Sequence, residues 1–232
     1  MGHEHSYESV DVVGAPDFDP FSEMFPARVG SGAVPIAEAM FPLLPIEEEI
    51  VTRASMKRRI EFSAGRYCAR LAMARLGHSE WPVRRRQDRV PIWPPGLVGS
   101  ITHTADYCAA VVASRDDFGA LGIDVEQVGA VPSDLAEQIL RREEFVPDCR
   151  PYLGDIGADW LTLHFCLKEA AYKAFYTIFE QIIEFSDMLI DLDVDRMIFV
   201  ASVPAIRGPS KFDGKFMVKN GKIFAASWKL SD

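Results

Sequence analysis

The chain has 232 residues, 48% hydrophobic and 25% charged, which is the composition of an ordinary soluble globular protein. This length allows one large domain or two small lobes with a buried core. Apolar runs stay shorter than the roughly 18 residues of a membrane span, and the first residues lack the features of a signal peptide. We therefore expect a cytoplasmic protein without membrane contact. The cysteines form no C-x-x-C pair, which argues against a zinc site and against a disulfide framework: Cys68, Cys108, Cys149 and Cys166.

Charge is unevenly distributed along the sequence. The net charge is −9, yet the segment from Arg53 to Arg89 holds eleven basic residues and only three acidic ones. A basic segment in an acidic protein indicates a local anion site, and the alternative is a solvated helix face. Nucleic-acid binding is disfavoured by the negative net charge and by the lack of interleaved aromatic residues around Arg84-Arg85-Arg86.

The predicted elements define an α+β fold. Loops with a short strand or two are expected over residues 1–45, and a helical region between Pro45 and Gly77 is expected to break at Gly65. Strands follow at 98–102, 108–113 and 120–125, then helices at 134–145 and 160–179. The chain ends in strands at 189–193 and 197–203 and a hairpin of 215–218 and 223–229, turned by Asn220-Gly221. A helix followed by antiparallel strands thus occurs twice, which predicts two similar lobes, 1–115 and 116–232.

The segment 120–126, Ala-Leu-Gly-Ile-Asp-Val-Glu, carries the first chemical signal. In a strand its aliphatic residues would face the core, and Asp124 and Glu126 would lie side by side on the other face. Adjacent carboxylates repel each other unless a cation or a proton lies between them. Oxygen ligands favour a hard ion such as Mg²⁺. The segment indicates either a metal site or an exposed strand face with solvated charges.

Two further segments carry polar residues. In the helix predicted over 160–179, Glu169 and Lys173 are four residues apart and share a face beside the apolar stripe, whereas Lys168 lies on another side. An ordinary surface ion pair is the alternative interpretation of Glu169 and Lys173. Earlier in the chain, Thr102 and His103 stand at a strand end, where they could bind phosphate or be purely structural.

In this order the three segments resemble the 4′-phosphopantetheinyl transferases of the enterobactin-synthase-component and surfactin-activator type. That family has a Ser/Thr-His strand end, then G-(I/V)-D-x-E, then a helix with (W/F)-x-x-K-E-(A/S)-x-x-K. The chain has Ile101-Thr102-His103, then Gly122-Ile123-Asp124-Val125-Glu126, then F-C-L-K-E-A-A-Y-K over 165–173. The basic segment 57–70 and Pro91-Ile92-Trp93-Pro94 fit the enterobactin-type subgroup as well. The resemblance covers about residues 41–180; Phe165 stands where Trp is commoner, and Thr102 where Ser is commoner.

The resemblance implies an enzyme that moves phosphopantetheine from coenzyme A to a serine of an apo acyl, peptidyl or aryl carrier protein and releases 3′,5′-ADP. Its active site would lie between two lobes related by a pseudo-twofold axis. Mg²⁺ would be held by Asp124, Glu126, Glu169 and the carbonyl of Val125, with Glu169 as the base and Lys173 at the leaving phosphate. The implied coenzyme A ligands are Arg58, Arg66, Arg85, Arg86, Asp88, Thr102, His103, Lys168 and Lys173.

The resemblance leaves the pathway open. Carrier proteins of nonribosomal peptide and siderophore synthesis, of polyketide synthesis and of fatty-acid synthesis are all candidates, and the subgroup favours secondary metabolism. We expect a monomer that binds no nucleic acid. The alternative function is a non-catalytic coenzyme A-binding or scaffold protein of the same fold. The joint presence of the carboxylates and Lys173 argues against that alternative.

Overall fold

The computed structural model describes residues 19–36, 38, 40–78, 81–145, 154, 156–204 and 211–231. Its helices are α1 (Pro45–Val51), α2 (Met56–Ala74), α3 (Ala136–Ile139) and α4 (Trp160–Phe179). The first strands are β1 (Gly30–Pro35), β2 (Arg84–Arg85), β3 (Pro91–Ile92), β4 (Leu97–His103), β5 (Tyr107–Ser114) and β6 (Phe118–Gln127). The later strands are β7 (Leu189–Asp193), β8 (Ile198–Ser202), β9 (Lys211–Lys219) and β10 (Lys222–Leu230). Short 3₁₀ turns occur at Pro20–Glu23, Ser133–Leu135, Arg142–Glu144 and Phe185–Asp187.

Two antiparallel sheets organise the described residues. The first has the strand order β1-β5-β4, the second β6-β10-β9-β8-β7, and β2 pairs with β3 in a small hairpin. The strands β4 and β6 lie next to each other at the junction of the two sheets, where the Ile123 amide donates to the Ser100 hydroxyl at 3.1 Å. The α+β fold with two sheet-containing regions, each covered by a helix, is thus confirmed.

The core explains which side of each strand faces which helix. One apolar cluster lies between the two sheets and includes Leu121, Ile123 and Val125 of β6. A second cluster packs α2 on the outer side of the first sheet, and a third packs α4 on the outer side of the second sheet. Successive side chains of β6 point to opposite faces of the sheet. The face opposite those three aliphatic residues therefore lies against α4. The predicted alternation of β6 is confirmed.

Most of the predicted elements are confirmed within a few residues, and two are wrong in detail. Gly65 lies inside α2, and the helical region instead breaks before Ser55, whose hydroxyl accepts from the Arg58 amide at 3.3 Å and caps α2. A Cβ at Gly65 would lie 3.1 Å from Ile101, so the missing side chain serves close packing on β4. The helix predicted over 134–145 is broken into short turns, since Leu140 is extended.

Local signals at turns and caps are confirmed. Asp159 caps α4 by accepting from the Thr162 amide at 2.8 Å, and Asn220 and Gly221 take the positive φ values, 53° and 71°, that a tight hairpin needs.

Cys68, Cys108 and Cys166 are buried free thiols, whereas Cys149 lies outside the described residues. No helix in the described parts of the chain is long and apolar enough to cross a membrane.

Candidate active site

A cavity of about 290 Å³ lies between α2, β4, the β2–β3 hairpin and α4. Its lining draws on both sheet-containing regions and contains predicted and unpredicted residues. The lining residues on α2 are Arg58, Glu61, Phe62, Gly65 and Arg66; those on α4 are Tyr172, Lys173, Tyr176 and Thr177. The hairpin adds Asp88, Arg89, Val90 and Pro91, and the first sheet adds Gly99, Ser100, Ile101, His103 and Cys108.

Arg66 gives one side of this cavity a buried positive charge. Only 6% of the residue is exposed, and its guanidinium lies 4.1 Å from the centre of the Phe62 ring. The buried Nε has no hydrogen-bond partner among the described residues. Burial lowers the pKa of Arg66 to about 10, so it stays charged at neutral pH. A buried guanidinium without a protein carboxylate at its Nε is suited to an anionic ligand such as phosphate.

Glu61 connects two of the predicted phosphate ligands. Its Oε2 lies 3.4 Å from Arg58 Nη1 and 3.4 Å from His103 Nε2, so one carboxylate orients both groups at the cavity. The sequence did not lead us to predict Glu61 as a site residue. The i,i+3 spacing from Arg58 on a helix was the available signal.

Asp124 lies outside the cavity lining and contacts Lys173, which is part of that lining. Its Oδ1 accepts from Lys173 Nζ at 2.7 Å and from the Thr102 hydroxyl at 3.0 Å, while Lys173 also donates to the Ile123 carbonyl at 3.0 Å. Thr102 is buried and outside the cavity lining, so its hydroxyl acts on Asp124; this geometry does not favour the expected direct contact with phosphate. Asp124 and Lys173 are thus in direct contact across β6 and α4, and Glu169 on α4 acts electrostatically on Lys173.

The carboxylates on this side repel one another. Burial, reinforced by the charges of Asp124 and Glu169, raises the pKa of Glu126 to about 7. Burial also raises the pKa of Glu169, with Lys173 opposing and Asp124 reinforcing the shift. The pKa of Lys173 is raised because the attraction of Asp124 and Glu169 outweighs its burial.

The carboxylates Asp124, Glu126 and Glu169 are the type of ligand that a hard cation prefers. They are not already grouped around one point, however. The described residues contain no group of three or more His, Cys, Asp or Glu side chains already placed around a common point. However, Asp124 Oδ2 is buried and has no hydrogen-bond partner among the described residues. Crowded carboxylates with a free buried oxygen fit a hard divalent ion. Val125 lies on the same strand with its side chain in the core, where it pairs with Phe224 of β10.

A close approach of strand and helix places these groups. A Cβ at Gly122 would lie 1.9 Å from the Ala170 carbonyl oxygen and 2.8 Å from the Ala174 amide nitrogen, both backbone atoms of α4. Only glycine therefore allows β6 to lie this near to the helix. The consequence is direct contact between Asp124 on the strand and Lys173 on the helix.

Lys168 lies outside the cavity lining. Its side chain is fully buried, and its ammonium contacts Glu144 Oε2 at 2.5 Å, the Ile139 carbonyl at 2.7 Å and the Phe185 carbonyl at 3.1 Å. Glu144 in turn accepts from the Ile190 amide at 2.7 Å. These protein contacts satisfy the ammonium of Lys168, and its expected contact with coenzyme A stays a prediction that this placement does not favour.

The other predicted basic residues lie at the rim. Arg85 and Arg86 line a shallow depression with Arg58, Gln87 and Arg89. Arg86 pairs with Asp88 and with Glu180, and Asp88 accepts from the Tyr176 hydroxyl. Sequence reasoning missed the α4 residues Tyr172, Tyr176 and Thr177. Their spacing from Glu169 and Lys173 places them on the same helix face, which was the available signal.

A cavity lined by the buried Arg66 and by Lys173, with Asp124 in contact with that lysine, is suited to an enzyme of phosphoryl-transfer type. Two family models match the chain: the 4′-phosphopantetheinyl transferase N-terminal domain over residues 46–113, and the 4′-phosphopantetheinyl transferase superfamily over residues 120–220. The chain belongs to the 4′-phosphopantetheinyl transferase superfamily.

Individual relatives agree with the family models. The chain is 36% identical to the 4′-phosphopantetheinyl transferase PptT of Mycobacterium tuberculosis, over 79% of this chain and 84% of the relative. It is 32% identical to the 4′-phosphopantetheinyl transferase Svp of Streptomyces mobaraensis, over 79% of this chain and 77% of the relative. Enterobactin synthase component D of Escherichia coli is 33% identical, over 52% of this chain and 56% of the relative.

The function follows from this membership. The chain is a transferase that moves the 4′-phosphopantetheine group of coenzyme A to a serine of an apo carrier protein and releases 3′,5′-ADP. The catalytic function is supported over the non-catalytic alternative.

Proposed function

We propose that coenzyme A occupies the cavity between α2 and α4, with its 3′-phosphate near Arg66 and Arg58 and its pyrophosphate towards His103 and Lys173. The observation that carries this proposal is the buried Arg66 guanidinium, which borders the cavity and has no partner at Nε among the described residues. Arg85 at the basic rim would meet the same nucleotide from the hairpin side. Arginine suits this contact because its planar group makes two charge-assisted hydrogen bonds to one phosphate.

At the carboxylate side, Glu169 is the proposed general base. The serine hydroxyl of the carrier protein forms a bond to the phosphorus that carries pantetheine, its proton passes to Glu169, and the bond to 3′,5′-ADP breaks. Burial raises the pKa of Glu169, which brings it nearer to neutral pH and strengthens it as a base. Lys173 stays charged and stabilises the leaving phosphate.

Mg²⁺ belongs to this proposal as well. Asp124, Glu126 and Glu169, with the Val125 carbonyl, would hold it, and when bound it supplies neutralisation of charge on the reacting phosphates. The free Oδ2 of Asp124 and the raised pKa of Glu126 support such a site. Deprotonated carboxylates are needed for this, so binding of the ion releases protons.

We also propose a lobe boundary, an oligomeric state, a cellular location and a class of carrier protein. We place the lobe boundary near residue 115, between β5 and β6, and the two family models match on either side of it. A monomer is also part of this proposal. The composition supports the cytoplasm. Because one relative is named for enterobactin synthesis, carrier proteins of siderophore peptide synthesis are the first substrates to test, followed by those of polyketide and fatty-acid synthesis.

The Arg66→Ala variant tests the phosphate assignment. A lost charge-assisted contact contributes about 1.5–3 kcal/mol, or roughly 10- to 150-fold in the Kd of coenzyme A. Dephospho-coenzyme A lacks the 3′-phosphate, so its Kd should change little in the variant. Arg58→Ala is the companion variant, and Arg196→Ala is the control because its side chain is 77% exposed on another surface. Equal losses for both ligands, in both variants, would place the 3′-phosphate elsewhere, and Arg85 would be tested next.

A further inference from the structure

The hairpin of residues 84–92 forms one wall of the proposed coenzyme A cavity, yet it has no apolar anchor of its own. All nine of its residues are described, and each is exposed or half-buried. The chain is buried again only at Val83 before the hairpin and Pro94 after it. A second groove, of about 300 Å³, borders the hairpin at Val90, Pro91 and Ile92. Hydrophobic burial therefore contributes little to holding this wall in place.

Polar contacts to α4 fix the hairpin instead. The Tyr176 hydroxyl donates to Asp88 Oδ2 at 3.0 Å, and Arg86 pairs with Glu180, the residue that ends α4 in a left-handed conformation with φ of 48°. Arg86 also lies 3.1 Å from Asp88 Oδ2, which links the two contacts. We call Arg86, Asp88, Tyr176 and Glu180 the hairpin–α4 contact.

Asp88 and Arg86 also organise the hairpin internally. The Val90 amide donates to Asp88 Oδ1 at 3.3 Å, and the Arg86 amide donates to the Val90 carbonyl at 2.8 Å. One carboxylate oxygen of Asp88 thus serves the turn, and the other accepts from Tyr176. Both oxygens have protein partners, which disfavours a direct role in holding ligand.

We propose that Tyr176 and Glu180 are positioning residues that hold the hairpin against α4, and that Arg86 and Asp88 act on coenzyme A through this contact. The inference rests on the proposed location of coenzyme A in the cavity. If the hairpin takes its binding-competent position only part of the time, the apparent Kd rises in inverse proportion to that fraction. Loss of the contact should therefore weaken coenzyme A binding and leave the chemical step nearly unchanged.

The test compares Tyr176→Phe and Glu180→Gln with the wild-type protein. Both variants keep the size of the side chain. We expect the Kd of coenzyme A, measured by calorimetry, and its KM to rise by about three- to tenfold. For Glu180→Gln, whose residue lies outside the cavity lining and pairs with Arg86 at the surface, we expect kcat to stay within about twofold and Tm to be unchanged. A Kd within twofold of wild type in both variants would overturn the inference.

A double-mutant cycle separates positioning from direct binding. If Asp88 acts through Tyr176, the Kd of the Asp88→Asn/Tyr176→Phe double variant for coenzyme A should not exceed the higher of the two single-variant Kd values. Additive losses would show that Asp88 contacts the ligand itself, which would overturn its assigned role.

Arg66→Ala distinguishes failure of this inference from failure of the proposed site. Weaker coenzyme A binding in Arg66→Ala together with unchanged binding in Tyr176→Phe and Glu180→Gln would refute the positioning role alone. Unchanged binding in all three variants would refute the location of coenzyme A and, with it, the positioning role.

Discussion

Replacement of Gly122 by alanine should disable the enzyme through the helix that it touches. The new Cβ would lie 1.9 Å from the Ala170 carbonyl oxygen, whereas ordinary contact begins at 3.4 Å, so α4 must move back by about 1.5 Å. That movement lengthens the 2.7 Å contact between Lys173 and Asp124 beyond hydrogen-bonding distance. Misplacement of reacting groups by about 1 Å can lower turnover by about 10²-fold, and overpacking costs about 1–3 kcal/mol of stability.

Gly119→Ala is the matched control on the same strand. A Cβ at Gly119 would lie 3.7 Å from the Lys229 carbonyl oxygen, which is an ordinary contact. Transfer of labelled phosphopantetheine to an apo carrier protein, followed with a thermal melt, measures both effects. We expect Gly119→Ala to match the wild type and Gly122→Ala to lose turnover and several degrees of Tm. Wild-type turnover in Gly122→Ala would refute the argument that this close approach positions the site.

Four further outcomes follow from the site and its surroundings. Asp124→Asn keeps the shape but removes the charge, so turnover should fall at least about 10²-fold, and a titration with Mg²⁺ should not restore it. Glu169→Gln should lower turnover by about 10²–10⁴-fold at every Mg²⁺ concentration; rescue by added Mg²⁺ would make Glu169 a ligand only. Lys168→Met leaves the Glu144 carboxylate buried and unpaired, so urea unfolding should show a loss of about 3–5 kcal/mol, much of it recovered in the Lys168→Met/Glu144→Leu double variant. Burial lowers the pKa of His164 to about 4, so the folded protein keeps the ring neutral where the unfolded chain protonates it. Stability should therefore fall by up to about 3 kcal/mol as the pH drops from about 6.5 to 4, and His164→Gln should remove that part of the pH dependence.

Local sequence patterns determined much of the fold and one side of the site. The strict alternation in β6 fixed which side of the strand carries Asp124, and the helical spacing in α4 fixed that Glu169 and Lys173 share a face. Asp159 and Asn220-Gly221 marked a helix start and a hairpin turn because their side chains and backbone freedom act on the nearest residues.

Gly65 and the 134–145 segment show where local patterns failed. Glycine has a low helix propensity, but the packing of α2 on β4 outweighs it. In the 134–145 segment the predicted helix does not form as one element, and Glu144 points inwards to pair with the buried ammonium of Lys168. Tertiary contacts override local preference in both places.

Which groups meet across the molecule was decided only by the tertiary structure. The sequence places Lys168 next to Glu169, but the rotation of α4 on the second sheet buries one and turns the other towards the carboxylates. Likewise, Tyr176 and Asp88 are 88 residues apart, and they meet only because the hairpin folds onto α4. Periodicity fixes the face on which a side chain lies, since it depends on neighbours a few bonds away. The partner opposite that face depends on how sheets and helices pack, which is set by the whole core.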